Sequence, residues 1–244
     1  MIEGNLAYPS CMVRHTVKPT LAEDAYDRLR LELLRGDLAP GARLRINDIA
    51  GRYEVSPTVL REAMTRLSEQ GLIVSMPQRG FAVMELSVAD LEDITRARCL
   101  VEATALRESI ADGGPAWESR VLAAHHLLQR APMLTDDGHI GPEWAHAHRE
   151  FHHVLLDGGR SARLTAIADG LRDCSDLYLH WSRELAHDPG RDVPAEHQEI
   201  VDLALAHDAD GAAAALGRHI ERTTAALVAY ASELSEPEPK EKVS

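Results

Sequence analysis

Histidine is where this chain holds most of its potential chemistry. Twelve of its 13 histidines lie after residue 87. His148 and His152 are spaced i, i+4, which places them one turn apart on one helix face. Two imidazoles so placed are half of a transition-metal site, and other helices of a bundle can complete it. His197 opens one later helical segment and His219 lies inside another. Histidine is not costly on a surface, and His125, His126, His146, His153, His187 and His207 read as surface or satisfied core residues. Cys11, Cys99 and Cys174 are isolated, with no C-x-x-C spacing, which argues against a disulfide framework or a zinc ribbon and fits a reducing cytoplasm. No Gly-x-Ser-x-Gly or His-Glu-x-x-His occurs, and no carboxylate stands out as a dedicated general base.

The elements that must position these residues fall into two groups. At 244 residues the chain can hold two modest domains. Its formal charge of −13 is unevenly spread: residues 1–86 hold 11 Lys+Arg and 11 Asp+Glu, whereas residues 87–244 hold 15 and 28. Such asymmetry is a domain signal, with the acidic part second. Residues 1–19 read as a flexible arm. Thr20 caps a helix to about Arg35, which Gly36 ends. Two short helical patterns follow within 46–67. In the second, Val59, Ala63 and Leu67 recur at i, i+4, i+8 with Leu60 and Met64 on the flank, and Ser56-Pro57 is a start signal. Arg61 and Arg66 lie off the apolar centre and are expected to face outward. Leu72–Val74 and Phe81–Val83 read as the two strands of a wing, with Gln78-Arg79-Gly80 at the tip.

After a linker at 85–87 the pattern is helical throughout, over about 88–112, 115–130, 142–157, 161–185, 196–206 and 208–234. The loops fall at Gly113-Gly114, at Asp136–Gly141 and at His187–Pro194. Residues 235–244 read as a disordered tail. The expected fold is mainly α: an N-terminal winged helix-turn-helix over 20–84, then an all-α helical bundle over 88–234. No stretch approaches about 18 consecutive apolar residues, so no membrane span is expected. The start lacks a signal-peptide core, so the cytoplasm is the default.

Residues 20–84 resemble the DNA-binding domain of the GntR family of bacterial transcription regulators. The resemblance rests on Gly36-Asp37-Leu38-Ala39-Pro40-Gly41-Ala42-Arg43-Leu44, Ile49-Ala50, Val55-Ser56, Val59-Leu60-Arg61-Glu62-Ala63-Met64, Gly71-Leu72-Ile73 and Arg79-Gly80-Phe81-Ala82-Val83. It implies contacts to double-stranded DNA from Asn47, Ser56, Thr58, Arg61, Arg66, Arg79 and Gly80, with Arg61 matching directly. This chain departs from the family pattern at Asn47, Glu54, Pro57 and Val59. Glu54 stands where a glycine is common at the turn.

The bundle looks like the FCD type of C-terminal domain, found in the FadR-like branch of that family. Arg98-x-x-x-Glu102, Phe151-His152-His153-Val154-Leu155-Leu156, Glu196-His197-Gln198-Glu199-Ile200, Ala204, Asp210 and Arg218-His219-Ile220 carry the match. It implies metal ligands at His148, His152, His197 and His219, where His148 replaces the usual Asp or Asn. Imidazoles suit Zn²⁺ or Ni²⁺ better than oxygen-preferring Mg²⁺ or Ca²⁺. The resemblance further implies a small organic acid effector at or beside the metal, a homodimer on a palindromic operator, and a repressor. Arg98 and Glu102 are the effector-site candidates. Arg98 could clamp a carboxylate bidentately, or the two could form a plain i, i+4 ion pair worth about 0.3–0.5 kcal/mol. Two alternatives stay open: a metal-dependent hydrolase with a DNA-recruiting domain, since an open metal position could activate water, and a DNA-binding regulator whose bundle is a metal-free structural dimeriser.

Overall fold

A computed structural model describes residues 20–136, 140–181 and 191–235. The arm expected over 1–19, the tail beyond Ser235 and His187 lie outside the described residues.

The N-terminal unit begins with α1 (Leu21–Leu34). Thr20 and Glu23 form a capping box: Thr20 Oγ1 accepts from the Glu23 amide at 3.2 Å, and Glu23 Oε2 accepts from the Thr20 amide at 2.7 Å. A two-residue strand β1 (Arg43–Leu44) follows, then α2 (Ile46–Tyr53) and α3 (Pro57–Glu69). The turn between the helices closes on Glu54 in the left-handed region (φ 58°, ψ 37°), a conformation glycine adopts without strain. β2 (Ile73–Met76) and β3 (Gly80–Val83) pair antiparallel with Ile73 opposite Val83 and Met76 opposite Gly80. β1 adds to the far edge of β3, giving the order β1-β3-β2. The sequence pattern missed β1, because two residues carry no readable alternation. α3 buries Leu60, Ala63, Met64 and Leu67 against Ala25, Leu29 and Leu33 of α1, while Val59 stays half-buried. Its apolar face is thus centred on Leu60–Met64.

The second unit is helical: α4 (Val88–Asp112), α5 (Pro115–Arg130), α6 (Pro142–Leu156), α7 (Ala162–Trp181), α8 (Val193–Leu205) and α9 (Ala209–Ser235). Ser87 caps α4 by accepting from the Asp90 amide, as its place after the linker suggests. α4 is the central helix and packs on α6, α7 and α9; α5 packs on α6 and α8, and α8 on α9. α8 starts three residues earlier than the pattern suggested, because Asp192 caps it by accepting from the Ala195 amide at 2.9 Å. His197 therefore sits in the second turn, buried where α8 packs on its neighbours. Among the described residues after Val83, one isolated β-bridge joins Leu134 to Ile140. No described helix is long and apolar enough to cross a membrane.

Candidate metal centre and DNA-reading face

Three helices bring four imidazoles together. α6 supplies His148 and His152, α8 supplies His197 and α9 supplies His219, and one ring nitrogen from each lies within 4.8 Å of the other three. The Nε2 atoms of His148 and His152 face each other at 3.2 Å. His152, His197 and His219 are buried, and His148 is half-buried. Trp144 stacks on His148, with ring centroids 4.5 Å apart and planes 15° apart, so α6 presents Trp144, His148 and His152 as one i, i+4, i+8 row. Phe151 lies against His125, His152 and His197, with ring centroids 5.1–5.5 Å apart.

His219 is fixed by charge. Its Nδ1 lies 2.8 Å from Glu196 Oε2. An ionised carboxylate only accepts, so Nδ1 must donate, which leaves the Nε2 lone pair free. Burial alone would raise the Glu196 carboxyl, but hydrogen bonds from His219 and Arg191 outweigh it and hold it down at about 2. Arg191 donates to Glu196 from Nε (3.0 Å) and Nη2 (2.8 Å), to the His219 carbonyl (3.2 Å) and to Thr223 (2.9 Å). Arg222 adds a further ion pair to Glu196 at 3.0 Å.

The donor set fits a transition metal. Burial, reinforced by neighbouring positive charge, pushes His148, His152 and His197 well below the ordinary imidazole value. Burial also lowers His219, with Glu196 opposing it. All four are therefore neutral at neutral pH, the form that ligates. His197 Nε2 is buried with no hydrogen-bond partner in the protein. These four histidines could hold a metal ion.

Beside the cluster lies a narrow cleft lined by Arg98, Trp144, His148, Ser175, Asp176, Arg191 and His219, among others. Arg98 reaches it from α4, donating from Nε to Glu102 at 2.7 Å and from Nη1 to Ser175 at 2.8 Å. Glu102 does not line the cleft. It is fully buried behind it and shared by two guanidinium groups, Arg98 and Arg172. The exposed-pair value of a few tenths of a kcal/mol is also the wrong scale for this buried trio, where removing one partner strands a charge. Arg172 is 1% exposed, and its Nε and Nη1 have no protein partner. Two cations share the Glu102 carboxylate, and Asp176 adds a second buried negative charge near Arg172.

The sequence reading missed Arg172, Arg191 and Trp144. Arg172 lies 70 residues from Glu102, beyond any local pattern. Glu196 stood beside His197 in plain view, and its role follows only once α8 and α9 are packed. Of the other histidines, His153 pairs with Asp169 at 2.9 Å and His207 with Glu118 at 3.2 Å.

On the N-terminal unit, Asn47, Thr58, Arg61 and Arg79 are exposed and Gly80 is half-buried. Ser56 is exposed and caps α3, accepting from the Val59 amide at 3.3 Å. Arg66 departs from its expected outward orientation: its guanidinium lies over the Tyr26 ring, 4.3 Å from the centroid, because α1 crosses α3 there. Arg43 and Arg45, which the sequence reading passed over, are exposed as well.

Comparison with known proteins settles the family. The bacterial regulatory proteins of the gntR family match residues 21–83, and the FCD domain matches residues 93–222. The chain belongs to the GntR family of transcription regulators. It is 36% identical over 209 residues to the HTH-type transcriptional regulator BphR of Paraburkholderia xenovorans, covering 83% of each chain. It is 30% identical over 200 residues to the HTH-type transcriptional repressor GlaR of Escherichia coli, covering 81% of this chain and 91% of that one. The fold matches E. coli McbR/YncC with a TM-score of 0.74 at 22% identity, over 87% of this chain and 99% of that one. The family is one of DNA-binding regulators and not of enzymes, so the hydrolase alternative is set aside.

Proposed function

We propose that this GntR-family protein is a metabolite-responsive repressor that binds a palindromic operator as a homodimer and whose operator affinity is set by a small organic acid at a metal-loaded site in the bundle. The convergence of four neutral imidazoles from α6, α8 and α9 on one point carries this reading. His148, His152, His197 and His219 would hold the ion, with Zn²⁺ or Ni²⁺ suited to their nitrogen donors. A divalent ion held by neutral ligands keeps its positive charge and supplies an attachment point for a carboxylate.

The chain's own residues favour the same ligand class. Arg98 and Arg191 line the cleft, and Arg172 adds buried positive charge that Glu102 alone does not balance. Glu196 fixes the ring of His219, and Trp144 that of His148. On the DNA side, Thr58 and Arg61 near the start of α3 suit the major groove, with Asn47 before them and Arg79 and Gly80 on the wing; Ser56 serves as the α3 cap, and Arg66 is the weakest member of the set. One helix-turn-helix covers few base pairs, so two heads give useful specificity. That GlaR is named a repressor supports the sign of regulation.

The test is elemental analysis of the wild type and of His152→Ala and His219→Ala after loading with Zn²⁺ or Ni²⁺, alongside a thermal-shift screen of organic acids with and without chelator. Wild type should hold one ion per chain and the variants less. A ligand at about 100 times its Kd should add roughly 2.7 kcal/mol, and only in the loaded protein. Equal metal in all three proteins would replace this reading with a bundle that only dimerises.

A further inference from the structure

One stretch of α7 touches both the cleft and the DNA-binding unit. Arg172, Ser175, Asp176 and Leu179 are spaced i, i+3, i+4, i+7, a single helix face. That face meets the cleft. Ser175 accepts from Arg98, Asp176 and Leu179 line the cleft beside His148 and His219, and Arg172 grips Glu102. Asp176 is also paired with Arg149 of α6, one residue from His148, at 3.3 Å. Asp173, Cys174 and Tyr178 form the neighbouring face, and it meets the other unit. Asp173 accepts from Arg30 of α1, from Nε at 2.8 Å and from Nη2. Cys174 Sγ lies 3.1 Å from the carbonyl of Gln70, the C-cap of α3. The Tyr178 hydroxyl donates to Asp90 at 2.7 Å and lies 3.2 and 3.3 Å from the carbonyl and amide of Ser87 at the linker.

Neighbouring residues on one rigid helix therefore answer to different sites. Arg172 is bound to the His-cluster side and Asp173 to α1. An α-helix turns about 100° per residue and does not stretch, so a rotation or slide of α7 at the cleft moves Asp173 with it, against Arg30. The Arg30–Asp173 contact is two-sided and mostly buried, with the carboxylate side chain 7% exposed, so breaking it strands a charge. A cleft of about 710 Å³ lies between α1 and α6 and is lined by Arg30, Leu34, Arg35, Ala145, His146 and Arg149 among others.

We propose that α7, through residues 172–178, couples the histidine cleft to the DNA-binding unit, with Asp173 as the positioning residue that sets α1 and, through the packing of α1 on α3, the reading helix. This rests on the metal site proposed above, and Zn²⁺ alone is the probe. Full-length protein is studied by amide hydrogen exchange with and without Zn²⁺, and by affinity for a duplex selected from random DNA with the wild type. In wild type, Zn²⁺ should change exchange over residues 26–34 and 67–72 and shift duplex affinity within the usual coupling range of about 5- to 150-fold. Asp173→Asn should take up the same Zn²⁺ with the same exchange changes around residues 148–152 and 197–219, yet lose both remote responses. The reversed pair Arg30→Asp with Asp173→Arg should restore them.

A contact that is merely structural would alter the head equally with and without Zn²⁺. Zn²⁺-dependent changes that reach residues 67–72 unaltered in Asp173→Asn, or that stay confined to the bundle in wild type, would overturn the coupling while leaving the metal site standing. Absence of Zn²⁺ uptake would overturn the metal site itself. Ser175→Ala then perturbs the cleft face without a ligand: a change at 67–72 that vanishes in the Asp173→Asn background supports the coupling, and its persistence there refutes it.

Discussion

Replacing Glu196 by Gln probes whether the imidazoles form a tuned site or merely share a polar cavity. The substitution preserves shape and removes one negative charge. In the wild type the carboxylate lies 2.8 Å from His219 Nδ1 and is held by Arg191 and Arg222. It thereby fixes the tautomer that leaves Nε2 free and raises the ring's basicity. Losing such a partner typically costs 10–100-fold in metal affinity, or about 1.4–2.7 kcal/mol. Zn²⁺ affinity would be measured at pH 7 by competition with a chromophoric chelator. Glu199→Gln is the control, since Glu199 lies three residues further on and only pairs with Arg218 on the surface. Glu196→Gln should weaken Zn²⁺ binding at least tenfold and Glu199→Gln should not. Equal affinities in the two variants would refute the argument, because then the Nδ1 contact has no bearing on the lone pair. In the metal-free fold, where the carboxyl is held from its ordinary 4.5 to about 2, Glu196 contributes stability that is fully present above 4.5 and is lost as pH falls through about 2.

Other expectations follow from the same geometry. The metal-free chain should lose stability as pH falls below about 6.5, because unfolded imidazoles then take up protons that buried His148, His152 and His197 refuse; urea titrations at pH 7.5, 6.5 and 5.5 would show it, and a flat profile would contradict the burial argument. Burial should likewise let metal occupancy persist below pH 6.5, lower than free imidazoles would allow. Arg61→Ala should weaken binding to a selected duplex by about 1–3 kcal/mol if it reads a base, leaving the melting temperature unchanged; unaltered affinity at moderate salt would remove Arg61 from the reading face. Glu54→Gly should stabilise the protein by about 0.5–1 kcal/mol, the left-handed penalty of a side chain less the extra freedom of unfolded glycine, and a lower melting temperature would count against strain at that turn.

Much of this protein is written in short-range pattern. Thr20 with Glu23, Ser56 with Pro57, and the i, i+3, i+4 apolar rows fix where α1 and α3 start and which faces they bury, because caps and amphipathic periodicity act within a few residues. The pairing of His148 with His152 is legible for the same reason, since one helical turn puts both rings on one face. Resemblance to the GntR and FCD patterns supplied His197 and His219; spacing alone showed only that they stood in later helices. What tertiary structure decided is which of these groups meet and in what electrical setting. Glu102 reads as half of an exposed pair until Arg172, 70 residues away, arrives from α7 and turns it into a buried carboxylate between two cations. Arg66 reads as outward-facing until Tyr26 of α1 passes beneath it. Asp173 and Arg30, 143 residues apart, give no sign of each other in the sequence. Local periodicity specifies a face, whereas the partner of that face depends on how the helices pack and on the burial that packing imposes.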